Sequence, residues 1–436
     1  MLDIKFIREN TDLVKKSAKS KRADVDIDKL VGLDDERKLL IGSVEAKRAK
    51  QNKVGEEISS ASGGEKEKLI EEMARLKVGL QKKEERLKVV LEEWQEILQK
   101  VPNVVSEDVP FGKDESENSI LRKWGEPKKF DFEIKDHVDL GKALDLIDIE
   151  TSNIVSGARF NYLKNEAVLI QFALIDLVIK TLGNKEIIEK LAKGAGCRSY
   201  KTYIPVLPPV FVRTDVAKKM DRFDPIEDRY FFEKDESLLV GSAEHTLGPM
   251  HMDSVIKEED LPLRYIGYST AFRREAGTYG KDTRGILRRH QFDKLEIESF
   301  SLPEDGLAEQ NLIVAIQEYL LRQLEIPYQV VMLCTGDMGK PDYRQIDMEC
   351  WMPGQDAYRE THTSDYMTDY QARRLNTKFK RKDGETGFVH MNDATAIAIG
   401  RMLIAIFENN QNKDGSINVP KALVPYVGKD VIRGNS

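Results

Sequence analysis

Residues 271–300 read AFRREAGTYGKDTRGILRRHQFDKLEIESF. The stretch opens on an Arg-x-Glu triplet, Arg273-Arg274-Glu275, and enters a loop containing Gly277, Gly280 and Gly285. It closes on a segment where Phe292, Leu295, Ile297 and Phe300 alternate imperfectly with Asp293, Lys294, Glu296 and Glu298. That pattern predicts two antiparallel strands joined by a long charged loop. A hairpin that only connects uses about two to five loop residues. A longer loop carrying Lys281, Arg284, Arg288 and Arg289 suits closure over an anionic ligand. A solvated surface hairpin is the plain alternative.

Three other pieces carry candidate chemistry. Residues 394–407, ATAIAIGRMLIAIF, are apolar around the whole helical circumference except for Thr395 and Arg401. This predicts a core helix over residues 394–410. An arginine inside it needs an anion, either a buried carboxylate or a phosphate matched by the guanidinium fork. Glu360-Thr361-His362-Thr363 could hold a divalent metal and phosphate oxygens, or could be a capping cluster. Ser242-Ala243-Glu244 follows the strand-like Leu238-Leu239-Val240. On an extended chain its hydroxyl and carboxylate share a side, which suits a small substrate with an ammonium and a hydroxyl; a surface edge would look similar.

The elements that must position these groups follow from pattern. With 436 residues the chain can hold two or three domains. A net charge of −7 gives no global basic signature, so any polyanion must be met by local patches. Cys197, Cys334 and Cys350 lack metal-ligand spacing, and the histidines do not cluster near them. This argues against a disulfide framework or structural zinc and fits a reducing compartment. No apolar run is long enough to span a bilayer and no signal-peptide core is present, so a cytoplasmic location is expected.

The first hundred residues read differently from the rest. Leu69, Met73, Leu76, Leu80, Lys83, Leu87, Val90, Trp94 and Ile97 follow an alternating four–three spacing, all apolar but Lys83. Leu33, Arg37, Leu40, Val44, Lys47, Gln51, Val54 and Ile58 keep the same spacing with more polar interruptions. Between them, residues 59–64 (SSASGG) break the helix. Two helices of roughly 30 residues, about 45–50 Å long, should fold back as an antiparallel coiled coil. Lys47, Arg48, Lys50 and Lys53 crowd one helix, and Lys82, Lys83, Arg86 and Lys88 the other. Such clusters fit contact with a nucleic-acid backbone, or a solvated rod. Beyond a Gly- and Pro-rich linker over residues 104–135, strands are expected at 202–212, 328–333 and 344–351. Helices are expected at 167–181 and 304–324.

In order along the chain, these pieces resemble the class II aminoacyl-tRNA synthetases, and within them the seryl-tRNA synthetase family. Residues 271–300 are similar to the family's second motif, FRxEAG, DTRG and HQFxKxE. Residues 389–411, VHMNDATAIAIGRMLIAIFENNQ, are similar to the third. Pro209 is similar to the proline of the first, in a dimer-forming segment. PNVVSEDVPFGKDESEN, WGEP and DHVDLG, within residues 102–141, resemble the link after the arm.

The resemblance implies an α+β protein. An N-terminal antiparallel coiled-coil hairpin, residues 1–105, would be a tRNA-binding arm. Residues 106–436 would be a class II catalytic domain built on an antiparallel β-sheet flanked by helices. It implies activation of L-serine with ATP and Mg²⁺, and transfer of the seryl group to tRNA(Ser) and to selenocysteine tRNA, by a homodimer. A paralogue that ligates an amino acid to a carrier protein is the alternative, and a catalytically silent coiled-coil scaffold is a further rival.

By the same resemblance, Ser242, Ala243, Glu244, Arg273, Glu296 and Thr395 would bind serine. Arg273, Arg274, Glu275, Arg289, Glu360, Thr361, His362, Thr363 and Arg401 would bind ATP. Arg273, Glu360 and Arg401 would be catalytic, with Glu360 on Mg²⁺ and no zinc. Lys47, Arg48, Lys50, Lys53, Lys82, Lys83 and Arg86 would contact tRNA. Four residues depart from the family pattern: Ser242 stands where threonine is usual, Arg274 where serine is common, His362 is unusual in its segment, and Asp393 stands where asparagine is usual.

Overall fold

The computed structural model describes residues 1–276 and 284–434. Gly277, Gly280 and Lys281 of the motif loop therefore lie outside the described residues. The chain divides into two compact units, Met1–Val104 and Val105–Ser436.

In the first unit two short helices, α1 (Ile4–Glu9) and α2 (Thr11–Ser20), precede two long ones, α3 (Ile27–Ser60) and α4 (Gly63–Lys100). The Asp26 side chain caps α3 by accepting from the Lys29 N–H. The helices are longer than the spacing predicts because they absorb most of the breaker. Only Ala61 and Ser62 remain between them, and Gly63 makes the turn at φ +62°. At 34 and 38 residues they run about 51 and 57 Å. The four–three seam is the face that closes: Leu33, Val44, Val54 and Val90 are buried, and the other seam positions are half-buried. Its polar interruptions are accommodated, with Arg37 stacked 4.7 Å from the Trp94 ring and Lys83 donating to Ser43 Oγ at 2.5 Å.

The second unit is built on an eight-stranded sheet. In chain order its strands are β1 (Ser119–Trp124), β2 (Ile204–Val206), β3 (Leu263–Phe272), β4 (Gln291–Ser301), β5 (Tyr328–Met332), β6 (Arg344–Met352), β7 (Ala357–Tyr366) and β8 (His390–Ala398). Their order across the sheet is β1-β5-β6-β7-β8-β4-β3-β2, antiparallel except for β2 beside β3. The residues read as a linker thus supply an edge strand. Helices α5 (His137–Ala143), α6 (Glu166–Gly183), α7 (Glu244–Leu247), α8 (Gly306–Gln323) and α9 (Ile399–Asn409) accompany the sheet. Residues of α6, α8 and α9 share one buried apolar cluster with the strands.

Two expectations are corrected. Residues 394–398 are the end of β8, and the helix begins only at Ile399. β8 lies between β4 and β7 at the sheet centre, buried almost throughout, and such a strand is as uniformly apolar as a core helix. Arg401 consequently sits in the first turn of α9, with a quarter of its side chain exposed, rather than in the middle of a buried helix. The strand before Ser242 ends at Leu239 and Glu244 opens α7. Strand alternation therefore does not relate Ser242 to Glu244.

Among the described residues, no helix is long and apolar enough to cross a membrane.

Candidate active site

A cavity of about 410 Å³ opens over the centre of the sheet. Its lining brings together Glu244, Arg273, Glu275 and Arg289 with Glu296's neighbours Lys294 and Thr395, and with Glu360, Thr361, Thr363 and Arg401. Ser242, Ala243, Arg274, Glu296 and His362 do not line it. Ser242 Oγ is buried without a hydrogen-bond partner, and Arg274 lies over the Tyr230 ring at 5.7 Å.

Two β-bulges shape the floor. β4 slips against β8 between Leu295 and Glu296, which sets Glu296 opposite Thr395. β6 slips against β7 between Met348 and Glu349, which sets Glu349 opposite Glu360. An extra residue re-aims side chains, and each bulge sets the register of a residue that lines the cavity, Thr395 in one case and Glu360 in the other.

At one end are Glu296, Lys294 and Thr395. Lys294 Nζ is 2.7 Å from Glu296 Oε2 and donates to Thr395 Oγ1 at 3.2 Å, while Thr395 Oγ1 makes a long 3.5 Å contact with Glu296. Burial pushes the Glu296 carboxyl up to about 7 against the pull of Lys294. Glu296 Oε1 has no partner. A buried acceptor left open beside a hydroxyl and an ammonium is competent to take a substrate O–H.

Glu244 lies next to this group. Burial disfavours its charge, but Arg222, Lys294, His245 and Arg273 together hold its carboxylate well below the usual range. Arg222 Nε is 2.8 Å from Glu244 Oε1, and its NH2 nitrogen is 3.4 Å from Asp393 Oδ2. Oxygen atoms of Glu244, Glu296 and Asp393 lie within 4.8 Å of one another. Asp393 is fully buried, and burial with the neighbouring Glu244 raises its carboxyl well above the ordinary value. Asp393 thus has a countercharge in Arg222, which nothing in the local sequence around residue 222 announces. Sequence reasoning missed Arg222 because its partners are 22 and 171 residues away.

Arginines line the same cavity. Arg273 donates from Nε to the Gly241 carbonyl at 3.0 Å and lies 5.3 Å over the Phe292 ring. Arg401 NH1 bonds both the backbone oxygen and Oε1 of Glu360, each at 2.8 Å. Burial opposes charge on Glu360, but Arg401 and Arg273 lower its carboxyl below the ordinary range. Glu275, at φ +51°, pairs with Arg288 at 2.5 Å. Arg289 is buried with Nε and NH2 unpartnered; burial, then the nearby Arg159, pulls it down to about 10. Buried guanidinium nitrogens with no anion beside them are ready for an anionic or carbonyl ligand. His362 is buried, bonded to Thr361 Oγ1 at 2.8 Å, and burial drops it to about 3, so it is neutral.

Asp347, Glu349, Glu360 and Arg401 line an adjoining cavity. Burial and the nearby Glu360 push Asp347 well above the ordinary value, and burial also raises Glu349. Carboxylates lining one space are oxygen donors of the kind a hard divalent cation takes, although Glu360 is already paired with Arg401.

In the arm, most of the basic side chains are engaged between the helices. Arg48 pairs with Glu84 at 2.6 Å, Lys50 with Glu72 at 2.6 Å and Arg86 with Glu36 at 2.7 Å. Lys53 is 4.0 Å from Glu57. Lys47 and Lys83 are half-buried at the seam, while Lys82 and Lys88 are exposed.

Comparison with known proteins agrees with this geometry. A model of the class II tRNA synthetase core domain (G, H, P, S and T) matches residues 230–410. A model of the seryl-tRNA synthetase N-terminal domain matches residues 1–105. The serine–tRNA ligase of Dictyoglomus turgidum is 43% identical over 439 residues, covering 99% of both chains. That of Thermodesulfovibrio yellowstonii is 38% identical over 440 residues, covering 99% of this chain and 100% of its own. The crystal structure of Pyrococcus horikoshii seryl-tRNA synthetase complexed with ATP superposes with a TM-score of 0.90 at 35% identity, covering 100% of each chain. The cytoplasmic serine–tRNA ligase of Naegleria fowleri, in complex with AMP, gives 0.85 at 28% identity, covering 100% of this chain and 99% of its own. With a helical hairpin, a class II sheet and full-length relatives all in agreement, the chain belongs to the seryl-tRNA synthetase family.

Proposed function

We propose that the chain is a serine–tRNA ligase. Serine's carboxylate attacks the α-phosphorus of ATP, giving seryl-adenylate and pyrophosphate; a terminal ribose hydroxyl of tRNA(Ser) then takes the seryl group. The observation that carries this reading is one cavity lined by Glu244, Lys294 and Thr395, with Glu296 buried against the last two, and by Arg273, Arg289 and Arg401.

Catalysis of this kind depends on alignment and charge neutralisation. Glu244 receives the serine ammonium, while Glu296 and Thr395 receive its hydroxyl. Alanine would leave those buried groups unpaired. Arg273 bridges the serine carboxylate and the α-phosphate. Arg401 holds the terminal phosphate, and Glu275 and Arg289 seat the adenine. Mg²⁺, held by Glu360 with Asp347 and Glu349 close by, would neutralise phosphate oxygens. Thr361 and Thr363, which line the cavity, and Arg274 and His362 belong to the nucleotide side of this reading, and Ser242 and Ala243 to the serine side.

The domain division assigned to this reading is a tRNA-binding arm over residues 1–105 and a catalytic domain over residues 106–436. Lys82, Lys88 and Lys53 are the arm cations best exposed for RNA phosphates. A homodimer fits the apolar side chains exposed around Pro209, notably Leu207 at 80% and Phe211 at 50%. The absence of a membrane-spanning helix among the described residues is compatible with a cytoplasmic protein. Charging of tRNA(Ser) and of selenocysteine tRNA with labelled serine tests the reading; failure to charge any serine-accepting tRNA would refute it.

A further inference from the structure

Glu408 and His137 form a buried bridge that the mechanism above does not use. Glu408, on α9 with Arg401, is fully buried, and its carboxylate accepts three N–H donors. Oε1 takes the His137 backbone N–H at 3.0 Å and His137 Nδ1 at 2.8 Å; Oε2 takes the Gly354 N–H at 2.9 Å. Gly354 stands in the turn between β6 and β7, the strands that carry Asp347, Glu349 and Glu360.

The other face of the imidazole meets the motif loop. The Ile286 N–H points at His137 Nε2 from 3.2 Å. An N–H can only be met there by a lone pair, so Nε2 accepts and the ring proton sits on Nδ1, where Glu408 takes it. One neutral tautomer satisfies both neighbours.

The residues around Ile286 are fitted to the same helix terminus. Arg284 donates from Nε to Asp136 at 2.8 Å and from NH2 to Asp139 at 3.0 Å. Gly285 has φ +76°, and a Cβ there would fall 1.8 Å from His137 Nε2. The Ile286 carbonyl lies 3.3 Å from where a Cβ on Gly400 would sit, beside Arg401. Arg288 and Arg289, immediately downstream, line the cavity.

We propose that His137, held in one tautomer by Glu408, is a positioning residue: it fixes the Ile286 backbone and thereby aims Arg288 and Arg289 at the nucleotide. Glu408 uses the same carboxylate to keep α9 and the β6–β7 turn in register with that loop. The inference rests on the nucleotide-binding reading of the cavity, and its test is separable from it.

Two substitutions divide the ring's roles. His137→Asn keeps a donor for Glu408 and loses the acceptor for Ile286. His137→Gln extends an amide oxygen toward the position of Nε2. ATP binding by calorimetry, with ATP and serine KM in pyrophosphate exchange, reads both. His137→Asn should raise the ATP Kd about tenfold, the cost of one buried hydrogen bond, and leave serine KM within about twofold. His137→Gln should stay within about threefold of wild type for ATP. An unchanged ATP Kd in folded His137→Asn, or equal losses for ATP and serine, overturns the positioning role. If His137→Asn does not fold, hydrogen exchange at the Ile286 amide of the wild-type chain carries the test: protection supports His137 as its acceptor, and free exchange overturns the positioning role. A wild-type chain that binds ATP but supports no serine-dependent exchange would count against the functional reading instead.

Discussion

Glu296 and Thr395 face each other across the β4–β8 ladder, register partners created by the bulge at Leu295/Glu296, with Thr395 Oγ1 3.5 Å from the carboxylate. The contact is too long to satisfy Glu296, and Glu296 Oε1 is unpartnered. A small hydroxyl entering here would complete both groups, which is the basis on which the proposed function assigns to this pair the distinction of serine from alanine.

Replacing Glu296 by alanine should therefore cost serine about 1–3 kcal/mol in kcat/KM and cost alanine far less. Pyrophosphate exchange with each amino acid measures the difference. Equal losses would make Glu296 a scaffold residue.

The same carboxyl predicts a pH dependence. Its ordinary value of 4.5 is raised to about 7, chiefly by burial. It is neutral below that point and charged above it, and a charged acceptor bonds a hydroxyl more strongly. Serine kcat/KM should fall as pH drops through about 7, and Glu296→Gln should flatten that limb. The effect on folding has the opposite sign. A raised carboxyl contributes stability that is fully present below 4.5 and lost as pH rises through about 7. Mild acid should thus favour the fold through this group while weakening serine binding.

Arg273→Ala should reduce serine-dependent exchange by roughly 100-fold or more, the scale for removing a preorganised charge donor. Arg273 donates to the Gly241 carbonyl through Nε and stacks on Phe292, and Arg222 and Arg401 remain beside Glu244 and Glu360, so the melting temperature should move little. Near-normal exchange in the folded variant would contradict its bridging role.

Arg222 answers for two buried carboxylates at once. Arg222→Ala should destabilise the chain by about 3 kcal/mol or more, because Glu244 and Asp393 would lose the buried guanidinium they share. Adding Asp393→Asn to that variant should restore part of the loss, both in urea unfolding and in serine KM. Strictly additive effects would show that the pair is not coupled.

Much of this was legible in the sequence, and the failures share a cause. The coiled-coil seam was read position by position because a narrow apolar stripe has one period and no competing explanation. The motif hairpin was legible because its strands alternate. Residues 394–398 were misread because a strand buried between two others loses its alternation. Arg222 and the His137–Glu408 bridge left no local signal, since each joins segments far apart in the chain. In the arm, spacing shows which residues are basic, but not that Arg48, Lys50 and Arg86 pair with glutamates across the seam.

Replacing residues 35–100 by a short Gly/Ser linker should leave serine-dependent exchange largely intact and abolish transfer to tRNA, because every candidate pocket residue lies beyond residue 220 or in the second unit. The full-length chain's tRNA affinity should fall steeply with salt, and the shortened chain should lose most of that slope. Full charging by the shortened chain would make the arm a rod with no RNA role.

The central claim, that this cavity activates serine, is tested most directly by ATP–pyrophosphate exchange over the twenty standard amino acids at fixed ATP and Mg²⁺. The account predicts exchange with serine, weak exchange at most with threonine, alanine and cysteine, and none with the rest. Exchange driven better by alanine or glycine than by serine, or no exchange with any amino acid, would contradict it.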